Sequence, residues 1–258
     1  MTTDLTTSLV QIADTKIVMY VFDGLGGLPN SRGRTELEDA DTRHLDRMAE
    51  QGSLGQLIPV APMVTPGPAT AFLALLGYDP LTTSLDEGTE LQPFPERWQM
   101  KAALLASSET HVALGRRAGL DVVEQSGGPS ALVDAMTERW DDYDCFIVHC
   151  SVGLPEAGRA RFAAKRSAIA AFDLAVPGIV QLKPDVLLIM GDRTSPAMTG
   201  IDSWHPAPLL VTGSHALPDE THRFSEFGCA RGVLGTILAR EVMSLAMAHA
   251  GRLGPFGV

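Results

Sequence analysis

Two aspartates stand where an apolar run gives way to glycine. Asp23 follows the run Ile17 to Phe22 and opens Asp23-Gly24-Leu25-Gly26-Gly27. Asp192 follows the run Asp185 to Met190 in Gly191-Asp192-Arg193-Thr194-Ser195-Pro196. A carboxylate at a strand end is a hard oxygen ligand, and adjacent glycines let backbone approach an ion closely. Two such carboxylates on neighbouring strands suit one shared divalent cation; the other reading is that each caps a turn. A third carboxylate, Asp202, sits in Asp202-Ser203-Trp204-His205-Pro206, just ahead of the next apolar run. His149 ends the run from Cys145, and taken alone it reads as a packed, hydrogen-bonded histidine rather than a ligand. Gly24, Gly26 and Gly27 do not form a dinucleotide fingerprint, because no helix follows them directly.

These residues need elements to hold them. The continuous apolar run Ile17–Phe22 reads as a strand buried on both faces, Asp185–Met190 and Leu209–Thr212 as buried strands, Lys101–Ala106 and Cys145–His149 as strands, and Asp121–Val123 as a short strand. Helical spacing marks Thr42–Gln51, Ala69–Leu76, Glu109–Ala118, Pro129–Trp140, Glu156–Ala175 and Gly235–Ala250. Strand-helix alternation of this kind implies an α/β fold with a mostly parallel, doubly wound sheet covered on both faces. In such sheets ligands sit beyond the carboxyl ends of the strands, where Asp23, His149 and Asp192 all fall. Residues 81–100 have no period and carry Pro93, Pro95 and Gly88, so they are expected to form an irregular loop within one domain spanning 1–258.

With 45% hydrophobic and 20% charged residues, the 258-residue chain is not disordered. A net charge of −11 excludes a general nucleic-acid binder, which needs a basic face. Sixteen of the twenty basic residues are Arg, the better partner for phosphate or carboxylate, though a composition bias is the first explanation of that excess. Three scattered cysteines, Cys145, Cys150 and Cys229, make neither a disulfide framework nor a Cys-rich zinc site. No run reaches the roughly 18 apolar residues of a membrane span, and the polar start is not a signal peptide. The expected location is the cytoplasm.

The motifs together resemble the archaeal-type, cofactor-independent phosphoglycerate mutase family of the alkaline phosphatase superfamily. The resemblance rests on Asp23-Gly24-Leu25-Gly26, Thr35-Glu36-Leu37-Glu38, Leu45-Asp46-Arg47-Met48-Ala49-Glu50 and Leu75-Leu76-Gly77-Tyr78-Asp79-Pro80. It continues through Ala118-Gly119-Leu120-Asp121-Val122, Val148-His149, Glu156-Ala157-Gly158, Gly191-Asp192 and Cys229-Ala230-Arg231-Gly232. It implies a three-layer α/β/α sandwich. It also implies two divalent metals and a transiently phosphorylated serine, with the metal pair neutralising the transferring phosphoryl group.

Carried over by position, the family's metal-binding aspartates survive at Asp23 and Asp192. The nucleophilic serine falls on Pro68, which offers no nucleophile. The Asp and His of the family's Asp-Glu-Ala-Gly-His segment fall on or near Pro155 and on Arg159. The His after Asp192 is Arg193, and the later metal His falls on Asp202, with Ser203 beside it. The family's inserted small domain belongs after Tyr78-Asp79-Pro80, where this chain has only the 81–100 stretch. A guanidinium cannot bind a cation, but it can neutralise Asp23 or Asp192.

The resemblance therefore predicts a degenerate, non-mutase protein: a pseudoenzyme acting as a binding or partner protein. Arg159 and Arg193 would hold a small anionic ligand or an ion-pair cluster, and no cofactor is expected. A bared sheet edge implies a homodimer or a heteromeric partner, with neither nucleic acid nor membrane involved. The alternative is a metal-dependent phosphoester or phosphonate hydrolase or phosphotransferase. Asp23, Asp192 and Asp202 would there hold a single divalent Mn, Zn or Mg, with Thr65, Thr70 or a metal-bound water as nucleophile. A surviving mutase would need a serine from elsewhere, such as Ser84.

Overall fold

The computed structural model describes residues 5–84 and 90–257. In chain order the elements are α1 Leu5–Ser8, β1 Ile17–Phe22, α2 Glu36–Asp39, α3 Arg43–Ala49, β2 Ser53–Ile58 and α4 Pro68–Leu75. Next come α5 Phe94–Trp98, β3 Ala102–Ala106, α6 Glu109–Arg117, β4 Asp121–Glu124, α7 Gly128–Thr137 and β5 Cys145–Cys150. The remainder is α8 Gly158–Gln181, β6 Val186–Gly191, β7 Ala207–Gly213, α9 Glu226–Cys229, β8 Gly235–Leu238 and α10 Val242–His249.

The strands form one sheet in the order β4-β3-β5-β1-β6-β7-β2-β8. Only β7 runs against its neighbours, pairing antiparallel with both β6 and β2; every other pairing is parallel. The sequence shows why β1 lies in the middle. All six of its residues are buried. Ile17, Met19 and Val21 join the apolar cluster on one face, with α4, α5, α6 and α10. Val18, Tyr20 and Phe22 join the cluster on the other face, with α2, α3, α7 and α8. The pleat sends alternate side chains to opposite faces, so a strand covered on both sides must be apolar throughout. The result is an α/β sandwich with helices on both sides of the sheet.

Several elements differ from the sequence reading. Gly235–Leu238 is a strand pairing with β2, not the start of a helix, and α10 begins only at Val242. Thr236 and Ile237 are β-branched, and the bare edge of β2 supplies a ladder that outweighs the helical pattern following them. β2 itself was not legible, because Gly55 interrupts its apolar run. Its hydrogen-bonding partners β7 and β8 lie far away in sequence. Helix α8 starts at Gly158 and runs past Ala175 to Gln181, with Pro177 inside it.

The 81–100 stretch, expected to be irregular, contains α5. Its Trp98 is buried and donates from Nε1 to the Leu76 carbonyl at 3.1 Å. The indole packs against Gly77, whose φ of +86° only glycine adopts readily and where a Cβ would lie 2.5 Å from the ring.

Candidate functional site

Register builds the site. Phe22, the last residue of β1, pairs with Cys150 of β5 on one side and Gly191 of β6 on the other. Asp23 and Asp192 therefore leave the sheet side by side at its carboxyl edge, with His149 one position back on β5. Because β7 is reversed, the segment entering it returns to this same edge, which is how Asp202 arrives there. Gly24 makes the turn possible. It has φ +67°, its N–H donates to Asp192 Oδ1 at 2.7 Å, and a Cβ would meet Ser195 at 2.7 Å.

The centre of the site is Arg193. Its Nη1 donates to Asp23 Oδ1 and to Asp192 Oδ2, the latter at 2.7 Å, and its Nε donates to Asp202 Oδ2 at 3.0 Å. One buried guanidinium thus joins three carboxylates through charge-assisted hydrogen bonds. Burial by itself would favour a neutral Asp192. The Arg193 charge, helped by His149 and the Gly24 N–H, wins and holds this carboxyl well below the usual range. The same burial works against the Arg193 charge, and the three aspartates more than offset it.

Beside this cluster lie two imidazoles. His111, in the first turn of α6, stacks on His149 with ring centroids 3.9 Å apart, and Phe72 of α4 meets both rings edge-on. Among the described residues, neither nitrogen of His111, nor Nε2 of His149, has a hydrogen-bond partner, although all three are buried. His149 Nε2 is 3.6 Å from Asp192 Oδ2, too long for a normal hydrogen bond, and its Nδ1 is 3.4 Å from Ser151 Oγ. Burial, then the neighbouring His149, pushes the pKa of His111 down to about 2, so it is a neutral imidazole. Neutral imidazole is the form that ligates metal. One ligand atom each from Asp23, His111 and His149 lies within 4.8 Å of the others. Orphaned buried imidazole nitrogens facing a carboxylate fit a divalent ion, and N/O donors of this kind suit zinc or manganese.

A second buried ion cluster supports the loops that carry the first. Lys165 of α8 donates from Nζ to the carbonyls of Gly26 and Ser195, at 2.8 and 2.9 Å. It also lies 3.7 Å from Glu36 Oε2, while Glu36 Oε1 accepts from Ala197 N–H at 2.7 Å. Glu226 accepts from Gly27 N–H at 2.9 Å and from the Thr35 hydroxyl at 2.8 Å. Burial raises Glu226 to about 7 and lowers Lys165 to about 8. The Asp23 loop and the Arg193 loop are tied to α8 through this cluster.

The other sequence candidates lie elsewhere. Pro68 is the first residue of α4 and is solvent-exposed, with no hydroxyl to offer. Arg159 is also exposed and does not join Arg193; it lines a separate cleft with Arg32, Arg34, Asp39 and Arg166. Asp192 and Asp202 are engaged by Arg193, whereas Asp23 faces both Arg193 and the imidazoles. His111 was not among the sequence candidates. Its signal was present: it stands third in a helix that begins just beyond the carboxyl end of β3, the edge where ligands bind.

Comparison with known proteins agrees with this architecture. Residues 15–249 match the Metalloenzyme superfamily. A probable 2,3-bisphosphoglycerate-independent phosphoglycerate mutase of Thermotoga neapolitana is 25% identical over 391 aligned positions, covering 96% of this chain and 97% of that protein. The counterpart from Thermus thermophilus is 26% identical over 396 positions, covering 96% and 98%. Since this chain has 258 residues, at least 133 of the 391 positions (391 less 258) face no residue here. Among solved structures, the PH0037 protein of Pyrococcus horikoshii superposes with a TM-score of 0.86 at 23% identity, covering 96% of this chain and all of that one. The cofactor-independent phosphoglycerate mutase of Thermoplasma acidophilum gives 0.73 at 16% identity, covering 92% and 100%. These two show the fold. The expectation that no cofactor is needed is thereby corrected. The superfamily match and the Asp23-His111-His149 group both point to a divalent metal.

Proposed function

The chain belongs to the metalloenzyme superfamily, and we propose that it is a non-mutase member, a binding or partner protein whose site takes one divalent ion where the mutases take two. Arg193 fills one cation position with a guanidinium, and Asp23, His111 and His149 hold the other. The single observation that carries this reading is the contact of Arg193 with Asp23, Asp192 and Asp202 together. A second dication could enter that group only by displacing the guanidinium from the three carboxylates it already neutralises.

The missing nucleophile supports the same reading. Phosphoryl transfer through a covalent enzyme intermediate needs an activated hydroxyl, and Pro68 stands at the position the resemblance assigns to it. The mutase relatives carry more than a hundred positions with no counterpart in this chain, in keeping with a missing inserted domain, which the resemblance would put after Pro80. In this reading the chain lacks the closure that such a domain would give, which excludes water and holds a substrate for phosphoryl return. In this reading Arg193 fixes Asp23 and Asp192, α6 and β5 present the imidazoles, and a bound divalent ion would supply Lewis-acid attraction for an anionic oxygen.

Phosphoester hydrolysis is the second reading, favoured by the unpartnered nitrogens of His111 and His149. The test assays the purified protein, reconstituted with Mn2+ or Zn2+, for conversion of 3-phosphoglycerate to 2-phosphoglycerate and for hydrolysis of p-nitrophenyl phosphate. The proposal expects both to be silent. Mutase turnover would refute it, and hydrolysis abolished by His149→Ala would establish the second reading in its place.

A further inference from the structure

The arginines separated from the metal cluster form a site of their own. A cleft of about 290 Å³ lies between the loop 30–34 and the first two turns of α8. On α8, Arg159, Phe162, Ala163 and Arg166 follow the spacing of one helix face and line it together. Arg32 and Arg34 line the opposite wall. We propose that this cleft binds a small phosphorylated organic anion, gripped by Arg32, Arg34, Arg159 and Arg166.

Charge is the first argument. Among the described residues lining the cleft, four guanidiniums meet one carboxylate, Asp39, in a chain whose net charge is −11. Arg166 pairs with Asp39 at 3.1 Å, and Arg34 approaches it at 4.0 Å. Among the described residues, Arg32 and Arg159 have no carboxylate partner. Uncompensated positive charge concentrated in a concavity of an acidic protein attracts an anion, and a guanidinium fork matches phosphate bidentately.

Preorganisation is the second. Asn30 Oδ1 accepts from the backbone N–H groups of Arg32 and Arg34, at 2.8 and 3.4 Å. The Asn30 N–H donates to the Arg34 carbonyl at 2.8 Å. The loop is thus held in its turn before any ligand arrives, which lowers the ordering cost of binding. On the facing wall, α8 is a continuous helix and Arg166 is tied to Asp39 of α2.

Chemistry of the walls narrows the ligand. Phe162 and Met198 give the cleft an apolar side, and Met198 is 44% exposed. Free phosphate has nothing to set against that surface, whereas the carbon skeleton of a phosphate ester does. The volume lies at the lower end of small-molecule pockets, which suits a small ester. This site is independent of the metal reading, because no residue of the Asp23 cluster lines it.

Isothermal titration in EDTA at low ionic strength, with inorganic phosphate and with glycerol 3-phosphate as probes, tests the proposal. Glycerol 3-phosphate is expected to saturate the protein and to bind at least about threefold more tightly than phosphate. The double variant Arg32→Ala/Arg159→Ala should weaken it at least tenfold with an unchanged melting temperature, and Arg159→Lys should weaken it less. Arg116→Ala, at an exposed arginine outside the cleft, should leave binding unaltered, which shows that the loss belongs to this site. Failure to saturate at millimolar concentrations, or full binding by the double variant, overturns the site. Equal affinity for the two probes overturns the assignment to an organic ester.

Discussion

The guanidinium of Arg193 lies 2.7 Å from Oδ2 of Asp192, a carboxylate with no solvent exposure. That contact couples folding to the site. Asp192 is ionised in a place where an unpaired charge is costly, and the partner that makes this tolerable is the next residue in the chain.

Arg193→Ala should therefore destabilise the metal-free protein by about 3–5 kcal/mol, as breaking a buried ion pair does. Urea unfolding in EDTA measures it. Added Mn2+ should restore part of the loss, because a dication can take the vacated place among Asp23, Asp192 and Asp202. A variant as stable as the parent in EDTA would show that Arg193 does not carry the charge balance.

On the proposed reading, Pro68→Ser adds a hydroxyl at the first position of α4 while Arg193 still fills one cation position. The expected outcome is no mutase turnover in a coupled enolase assay, with or without Mn2+. Appearance of activity would place the defect in the nucleophile alone.

Stability should fall as pH rises through the mildly acid range, and Glu226 is the reason. Its carboxyl is raised from 4.5 to about 7 by burial, so between these values the folded state holds a proton that the unfolded state has lost. By linkage, unfolding then becomes easier as pH increases, by on the order of 1–3 kcal/mol across the window. Lys165, lowered from 10.5 to about 8, acts oppositely at alkaline pH: the unfolded chain holds the extra proton, and stability recovers as pH rises from 8. Glu226→Gln should remove the acid limb and leave the alkaline one, read from chemical denaturation at a series of pH values. A parent protein whose stability is flat from pH 5 to 7 would contradict the assignment.

Trp98→Ala empties the space against Gly77 and removes the indole bond to Leu76. A loss of about 3–5 kcal/mol is expected, as for other buried large-to-small changes. A loss under about 1 kcal/mol would mean that α5 is not integral to the fold.

The sequence made β1, β5 and β6 legible because strands covered on both faces must be apolar at every position. Asp23 and Asp192 followed, since they stand at the ends of such runs. β8 was hidden, because a four-residue edge strand at Gly235–Leu238 carries little pattern of its own and is defined by the neighbouring β2. The meeting of Asp202 with Arg193 was equally hidden as geometry, since it depends on β7 running backwards. His111 escaped notice because a histidine in an amphipathic helix looks like any other polar residue until β5 brings His149 beneath it. Arg159 and Arg193 could be paired on paper by alignment, but the helix start at Gly158 turns Arg159 toward loop 30–34 instead.

The most direct test of the account is the number and place of bound cations. A crystal soaked in Mn2+ or Zn2+, examined by anomalous scattering, should show one ion per chain against Asp23, His111 and His149, with Arg193 still bridging Asp23, Asp192 and Asp202. Two ions with Arg193 displaced, or none at any metal concentration, would contradict it.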